Sequence, residues 1–514
     1  MIIPDYVEKN ARLFPNKSAI VFYDRRCTFS ELKERVYQLS NGLLELGVKK
    51  GDRVAIIQDN CFEYPEMYYG ISKIGAIITP FNYRLIGREL TFLLNDSEAN
   101  ILIIGKDFVE TMGPFRPELK FIKNYICIGD KPEGMINYDE LVNRSSTKKP
   151  EVKVEPNDVS ALLYTGGTTG RPKGVVLTHR NWEATAITQV VELGLHYGET
   201  DLIATPLFHV GSSWPLFYNF LLGSTEVIVK RVDVEDILRT VEREKVTITL
   251  WIVPVIRLLL GYPDLVKKYD VSSLKLVVTG GAPISGHELK RFIQLLHGVQ
   301  VSQGSGQTET GKTSENRVNH FLDDPEKIGS SGREAFNVEM RVVDDKDNDV
   351  PLGGVGEMII RSEGVMKEYW RMPEETAEAM KGGWHHTGDL VKIDKDRFIT
   401  YVDRKKDMII TGGENVYSKE VEDVIYGVKA VAEVAVIGIP DEKWGESIKA
   451  LVVLKEGEEA TEQEIIAHCK KHITGFKCPK SVEFYDSFPK TGLGKIAKNV
   501  LREKYWEGYE RRIH

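Results

Sequence analysis

Tyr164-Thr-Gly-Gly-Thr-Thr-Gly-Arg-Pro-Lys-Gly-Val175 is the stretch on which the reading of this chain turns. It continues a leucine-rich run ending at Thr165, and it sets four glycines, three threonine hydroxyls and two cations close together. Glycines let backbone N–H groups close on an anion, Thr165, Thr168 and Thr169 add donors, and Lys173 adds charge. The pattern predicts a phosphate cradle at the end of a strand. A flexible Gly/Thr hairpin is the plainer reading, and the density of matched donors argues against it.

Outward from this loop, short β-branched runs alternate with amphipathic segments, which predicts strands and helices in turn around a parallel sheet. Residues 226–230 and 274–279 read as strands, and 234–244 has the helical spacing Val234, Ile237, Leu238, Val241. Ser285 is placed as the N-cap of a further helix. The richest apolar stretch, 247–260, is broken by Pro254, carries Arg257, and falls short of the roughly 20 apolar residues that span a bilayer. It reads as a buried strand followed by a helix. Near the charged run Asp403-Arg-Lys-Lys-Asp407 the texture changes, and strands at 431–439, 448–454 and 480–485 with a helix at 462–473 predict a small α+β domain. The expected organisation is an α/β domain with helix-flanked sheets over 1–403, a hinge at 404–406 and a small mobile domain over 407–514.

The chain has 514 residues, 42% hydrophobic and 28% charged, which suits a globular protein of several domains. Lys plus Arg number 68 against 76 Asp plus Glu, a net charge of −8, so a nucleic-acid partner is not expected. Five scattered cysteines are too few for a disulfide framework, and a reducing, cytoplasmic setting follows. Neither a secretory signal nor a transmembrane segment is expected, and homodimeric assembly is left open.

Seven further motifs follow the Gly/Thr loop in order: Pro206-Leu-Phe-His209, Gly280-Gly-Ala-Pro283, Gly306-Gln-Thr-Glu309, Trp384-His-His-Thr-Gly-Asp389, Asp403-Arg-Lys-Lys-Asp407, Gly412-Gly-Glu-Asn415 and Pro489-Lys-Thr-Gly-Leu-Gly-Lys-Ile496. Weaker ones, Thr28-Phe-Ser-Glu-Leu32 and Gly51-Asp-Arg-Val54, come earlier. Together they resemble the adenylate-forming superfamily of acyl-CoA synthetases, luciferases and peptide-synthetase adenylation domains over essentially the whole chain.

The resemblance implies ATP, Mg²⁺ and coenzyme A as cofactors or co-substrates and a small carboxylic acid as substrate. It gives Thr165, Gly166, Gly167, Thr168, Thr169, Gly170 and Lys173 to the phosphates. Thr308 becomes a phosphate contact and Glu309 the Mg²⁺ ligand, a role that suits a carboxylate beside a triphosphate. Asp389, with Arg404, would hold the ribose. Lys495 would stabilise charge developing as pyrophosphate leaves, electrostatic catalysis from a mobile segment. His209 would stand beside the carboxylate pocket. Gly280, Gly281, Ala282, Gly304, Ser305, Gly306 and Gln307 would build the nucleotide and acyl sites. Gly412, Gly413 and Glu414 would face the pantetheine arm, and Lys406 would be the hinge. One departure stands out, since the family's usual adenine-stacking aromatic is Ser305 here.

Taken singly, these residues have plain readings: Asp389 as a turn former, Arg404 and Lys495 as solvated charges, His209 as a core histidine. Two other patterns compete. Gly306-Gln-Thr-Glu-Thr-Gly-Lys-Thr313 matches G-x-x-x-x-G-K-[ST] and makes a P-loop NTPase the runner-up, with Arg341-Val-Val-Asp344 as its second motif. His468, Cys469, His472 and Cys478 could suggest zinc, although Cys469 lies about a quarter-turn from the histidine pair and no second ligand pair follows. The expected activity is an AMP-forming acyl-CoA synthetase acting on a fatty or aromatic acid, because no cation for a second carboxylate is evident around 209–214, 280–282 and 304–307, where the resemblance puts the acid. A carrier-protein thiol in trans is the alternative acceptor, disfavoured in cis by the short tail after Lys495. A luciferase-like oxidation would reuse the same residues. A nucleotide sensor without activity would be signalled by loss of Lys495 or Glu309, and both are present.

Overall fold

Alternating strands and helices do build mainly parallel sheets here, two of them in the first of two units. The computed structural model describes residues 1–85, 87–165, 172–281, 284, 286–317, 324, 327–490 and 496–507. Contacts divide the chain into a first unit of Met1–Thr165, Lys173–Glu339 and Ile360–His385, and a second of Gly166–Pro172, Met340–Ile359 and His386–His514.

In the first unit, one sheet has nine strands among the described residues, in the order Arg333–Glu334, Gly311–Asn316, Gln300–Gln307, Leu276–Gly280, Ile248–Leu250, Thr200–Ile203, Thr225–Ile228, Ser18–Phe22, Arg25–Thr28. Its six central strands, Gln300–Gln307 to Ser18–Phe22, are parallel. Antiparallel pairs close both edges. The second sheet runs Glu368–Tyr369, Lys173–Thr178, Val159–Thr165, Ile77–Phe81, Arg53–Ile57, Ile101–Gly105, Asn124–Ile128, Ile136–Asn137. A common core joins the inner faces of both sheets through helices that include Phe29–Glu45, Tyr64–Lys73 and Val210–Leu222. Separate apolar layers cover the outer faces. Val210–Leu222 lies in the common core because apolar residues surround it: Val210, Trp214, Leu216, Phe217, Tyr218, Phe220 and Leu222 are all buried. Such a helix belongs between sheets rather than on a surface.

The helix expected at 234–244 is observed as Val234–Glu244, capped by Asp233, whose side chain accepts from Asp236 N–H. The apolar stretch 247–260 splits as expected into the strand Ile248–Leu250 and the helix Val253–Gly261. Ser285 lies outside the described residues. No described helix is long and apolar enough to cross a membrane.

The second unit holds most of a four-stranded sheet, Glu339–Val343, Val355–Arg361, His385–Ile393 and Ile399–Arg404. It also holds a five-stranded sheet of Glu414–Val416, Ile409–Thr411, Gly445–Leu454, Val431–Asp441 and Ser481–Phe484. Helices Ser418–Ile425 and Glu462–His472 pack on one face of the latter and Lys498–Trp506 on the other. Compactness therefore groups the strands before residue 404 with the C-terminal residues, a different cut from the change of texture at 403–407.

One feature of the first unit's core has a pH signature. Asp201 and Glu226 are register partners on neighbouring parallel strands and both are fully buried. Tyr218 Oη and Asn219 Nδ2 donate to Asp201 Oδ2 at 2.7 and 3.0 Å. Burial pushes the Asp201 carboxyl up to about 6. Burial, and then the charge of Asp201, push Glu226 well above the usual carboxylate range. The unfolded chain releases these protons near pH 4 while the folded chain keeps them, so this pair lowers stability as pH rises from about 4 toward neutrality. Glu226→Gln should flatten that fall and raise the Tm at pH 7. Thermal melts between pH 4 and 8 measure it, and an unchanged slope would contradict this account.

Candidate active site

The strands Val159–Thr165 and Lys173–Thr178 form an antiparallel hairpin in which Thr165 pairs with Lys173, so the stem of the Gly/Thr loop is fixed. Thr165 Oγ1 donates to Lys173 O at 3.4 Å. Gly166, Gly167, Thr168, Thr169 and Gly170 lie outside the described residues, as do Ala282 and Lys495. Lys173 Nζ stands 4.7 Å from the centre of the Tyr369 ring, and Tyr369 Oη donates to Glu309 Oε1 at 3.3 Å. The loop's lysine and the carboxylate assigned to Mg²⁺ thus converge on one tyrosine. Tyr369 escaped the sequence reading because its strand, Glu368–Tyr369, is two residues long and pairs with Val175 and Val176, far away in sequence.

Thr308 and Glu309 sit in the turn of a second hairpin, between Gln300–Gln307 and Gly311–Asn316. Thr310 Oγ1 accepts from Gln307 N–H at 3.1 Å and closes the turn. This geometry overturns the P-loop alternative: the segment 306–313 is strand–turn–strand, whereas that motif needs a helix whose N-terminus receives the phosphates. Lys312 is spent differently, nearly buried in an ion pair with Glu315. Its ammonium lies against Gly304, so a cation stands beside the segment 304–307, where the sequence showed none. Ser305 Oγ bonds Thr313 Oγ1 at 2.9 Å and Ser314 Oγ at 2.7 Å.

Glycine is required along this region by close approach. A Cβ on Gly280 would overlap Gly304 O, and one on Gly306 would overlap Gly311 O and come within 2.8 Å of the Trp214 ring. Gly281 is exposed, with φ +77°. Trp214 and Thr308 line a narrow crevice with Trp182, Thr185, Val210 and Gly311. His209 is the N-cap of Val210–Leu222, its Nδ1 accepting from Gly211 N–H at 3.2 Å. That bond puts the ring proton of the neutral form on Nε2.

In the second unit, Asp389 and Arg404 are register partners on adjacent strands, joined Nε to Oδ1 at 2.7 Å. Asp389 is therefore a strand residue rather than a turn residue. The neighbouring Gly388, with φ +68°, supplies the irregularity that the sequence suggested. Gly412 and Gly413, φ +62° and +84°, make the two-residue turn of the hairpin Ile409–Thr411 and Glu414–Val416. Glu414 is exposed there, and a Cβ on Gly412 would come within 2.9 Å of the Trp444 ring.

Lys406 is partly buried. Desolvation, with Arg404, Arg502 and Lys498 nearby, pushes its ammonium down to about 8. Around it runs a network absent from the sequence reading. Asp403 Oδ2 accepts from Ser418 N–H and Oγ. Lys498 Nζ reaches Ser418 Oγ at 2.8 Å and Glu422 Oε1 at 2.6 Å, and Arg502 bonds Asp407 Oδ1 at 2.8 Å. Lys490 and Ile496 form a bridge at the stem of the loop that carries Lys495. The four residues of the zinc pattern have other contacts. His468 Nε2 meets Val424 O, His472 Nδ1 meets His468 O, and Cys469 and Cys478 are in the core. No group of metal-ligating side chains is found among the described residues.

A helix-filled double sheet with the Gly/Thr hairpin and a separate C-terminal α+β body defines the adenylate-forming class of enzymes. The chain belongs to the AMP-binding enzyme family, which matches residues 7–370, with the AMP-binding enzyme C-terminal domain matching 420–495. It is similar to a feruloyl-CoA synthase of an Amycolatopsis species, 36% identical over 97% of this chain and 98% of that one. It is also similar to the long-chain-fatty-acid–CoA ligase FadD13 of Mycobacterium tuberculosis, 34% identical over 94% of both. Among solved structures, the anthranilate CoA ligase AuaEII in complex with anthranoyl-AMP superposes with a TM-score of 0.89 and 29% identity, covering 98% of this chain and 97% of that one.

The Lys498 network yields a stability test. Lys498→Met strands Glu422 and Asp403 without their cation and should cost up to about 3 kcal/mol, while Lys498→Arg should recover most of it. Urea unfolding monitored by circular dichroism measures both. Equal loss in the two variants would show that side-chain shape, not charge, is what matters there.

Proposed function

We propose that the chain is an AMP-forming carboxylic acid:CoA ligase that works in two half-reactions. The observation that carries the proposal is the convergence of Lys173 and Glu309 on Tyr369 beside the stem of the Gly/Thr loop. A cation and a carboxylate so placed suit a metal-bound triphosphate. Glu309 is a hard oxygen donor fit for Mg²⁺, which when bound would neutralise phosphate charge.

In the first half-reaction the acid's carboxylate oxygen attacks the α-phosphorus of ATP, pyrophosphate leaves, and an acyl-adenylate forms. The backbone and hydroxyls of 165–170, with Lys173 and Thr308, bind the phosphates. Asp389, oriented by Arg404, accepts from the ribose hydroxyls, and His209 stands by the carboxylate. Lys495 stabilises the charge that develops at the α-phosphate. In the second, residues 407–514 swing about Lys406, and the thiol of CoA, passing Gly412 and Gly413, attacks the acyl carbonyl and displaces AMP. Adenylation converts a poor electrophile into a mixed anhydride, and the swing lets one enzyme run two chemistries. Five cysteines, all free and all buried, support a reducing location such as the cytoplasm.

Turnover should release AMP and pyrophosphate with no direct ADP or orthophosphate, which ³¹P NMR reads; predominant ADP would end the adenylation reading. Lys495→Ala should slow acyl-adenylate formation by about 10²–10³, the scale for one preorganised electrostatic contact, and should largely spare thioester formation from pre-made acyl-AMP. Equal losses in both half-reactions would count against the swing.

A further inference from the structure

The face of the first unit's nine-stranded sheet that looks onto helix Val210–Leu222 carries an unusual pair of charges. Val278 points into the core that contains this helix, and its register partner is Ser302. Side chains alternate along a strand, so Gly304, two residues on, shares that face. So does Gly306, whose missing Cβ points at the Trp214 ring. Across the hairpin, Gly304 pairs with Glu315 and Gly306 with Lys312. With Gly280 beside Gly304, three positions without side chains lie together on this face. The space a Cβ on Gly304 would occupy is filled by Lys312 Nζ and Glu315 Oε2.

Both side chains are almost wholly buried, 4% and 0% exposed. Among the described residues, Lys312 Nζ has Glu315 as its ion-pair partner, and Glu315 Oε1 accepts from Ser302 Oγ. An ammonium has three donors, so this pairing leaves N–H capacity over the glycine strip. Removing two ions from water costs several kcal/mol each, a cost that apolar residues in the same hairpin would avoid. Along the same face lie Val278, Ser302 and, against Gly306, the Trp214 ring, which gives a ligand apolar surface beside one polar end.

We propose that Lys312 and Glu315 are specificity-determining residues at the end of the acyl pocket, and that the acid this chain takes bears a neutral hydrogen-bonding group, such as a hydroxyl, on its tail. The inference rests on the adenylation reading and on the acyl tail lying along Gly280, Gly304 and Gly306. A neutral group is specified because the pair has no net charge: Lys312 donates to the substituent's oxygen, Glu315 accepts its proton, and a second carboxylate would be repelled by Glu315.

Acid-dependent ATP–pyrophosphate exchange by the full-length chain tests this with matched acids, 4-hydroxycinnamic against cinnamic and 10-hydroxydecanoic against decanoic. In at least one pair kcat/KM should favour the hydroxylated member by about tenfold or more, the worth of a hydrogen bond to a charged group. The double variant Lys312→Met/Glu315→Leu, which removes both charges together and so strands neither, should bring that ratio to about one. No preference in either pair for the wild type overturns the inference, whatever the variant does. So does a ratio that survives in a variant whose melting curve shows it folded. Exchange without preference defeats only the role of the pair, whereas no exchange with any acid, and none of the four yielding AMP, defeats the adenylation reading itself.

Discussion

The first unit depends on one constraint: a helix with no polar face, Val210–Leu222, has to be buried between two parallel sheets. Hydrophobic burial fixes that helix in depth and rotation, and its ends are fixed with it. At its start His209 caps the backbone through Nδ1, so the imidazole's position follows from the packing of Trp214 and Phe217 further along. On the facing sheet, glycine is required wherever the backbone or the Trp214 ring comes too close for a Cβ. The residues assigned to the carboxylate and the acyl tail are therefore set by the same contacts that hold the unit together.

Much of this was legible in the sequence because it is local. The helix Val234–Glu244 announces itself by its period, and the strand entering the Gly/Thr loop by its run of apolar residues. What stayed hidden depends on pairing across strands. Tyr369 is placed by two backbone partners in Lys173–Thr178, far away in sequence. Lys312 and Glu315 meet Gly304 only after the hairpin forms, and read along the chain the lysine completes a phosphate-binding pattern instead. Asp389 looked like a turn residue because Gly388 precedes it, yet the positive φ of that glycine is accommodated within a strand. Each of these residues shows its chemistry in the sequence and its neighbours only in the fold.

The network around 403–407 bears on how freely the second unit can rearrange internally. Asp403 precedes the segment 404–406, while Ser418, Glu422, Lys498 and Arg502 follow it, so the bonds from Asp403 to Ser418 and from Asp407 to Arg502 bracket the very backbone that a swing would twist. Any turn about 404–406 has to part Asp403 from Ser418 and open Lys498's surroundings to water. These side chains are largely shielded, and mobile ions screen shielded pairs far less than exposed ones. A turn about 404–406 would therefore work against contacts that added salt weakens little.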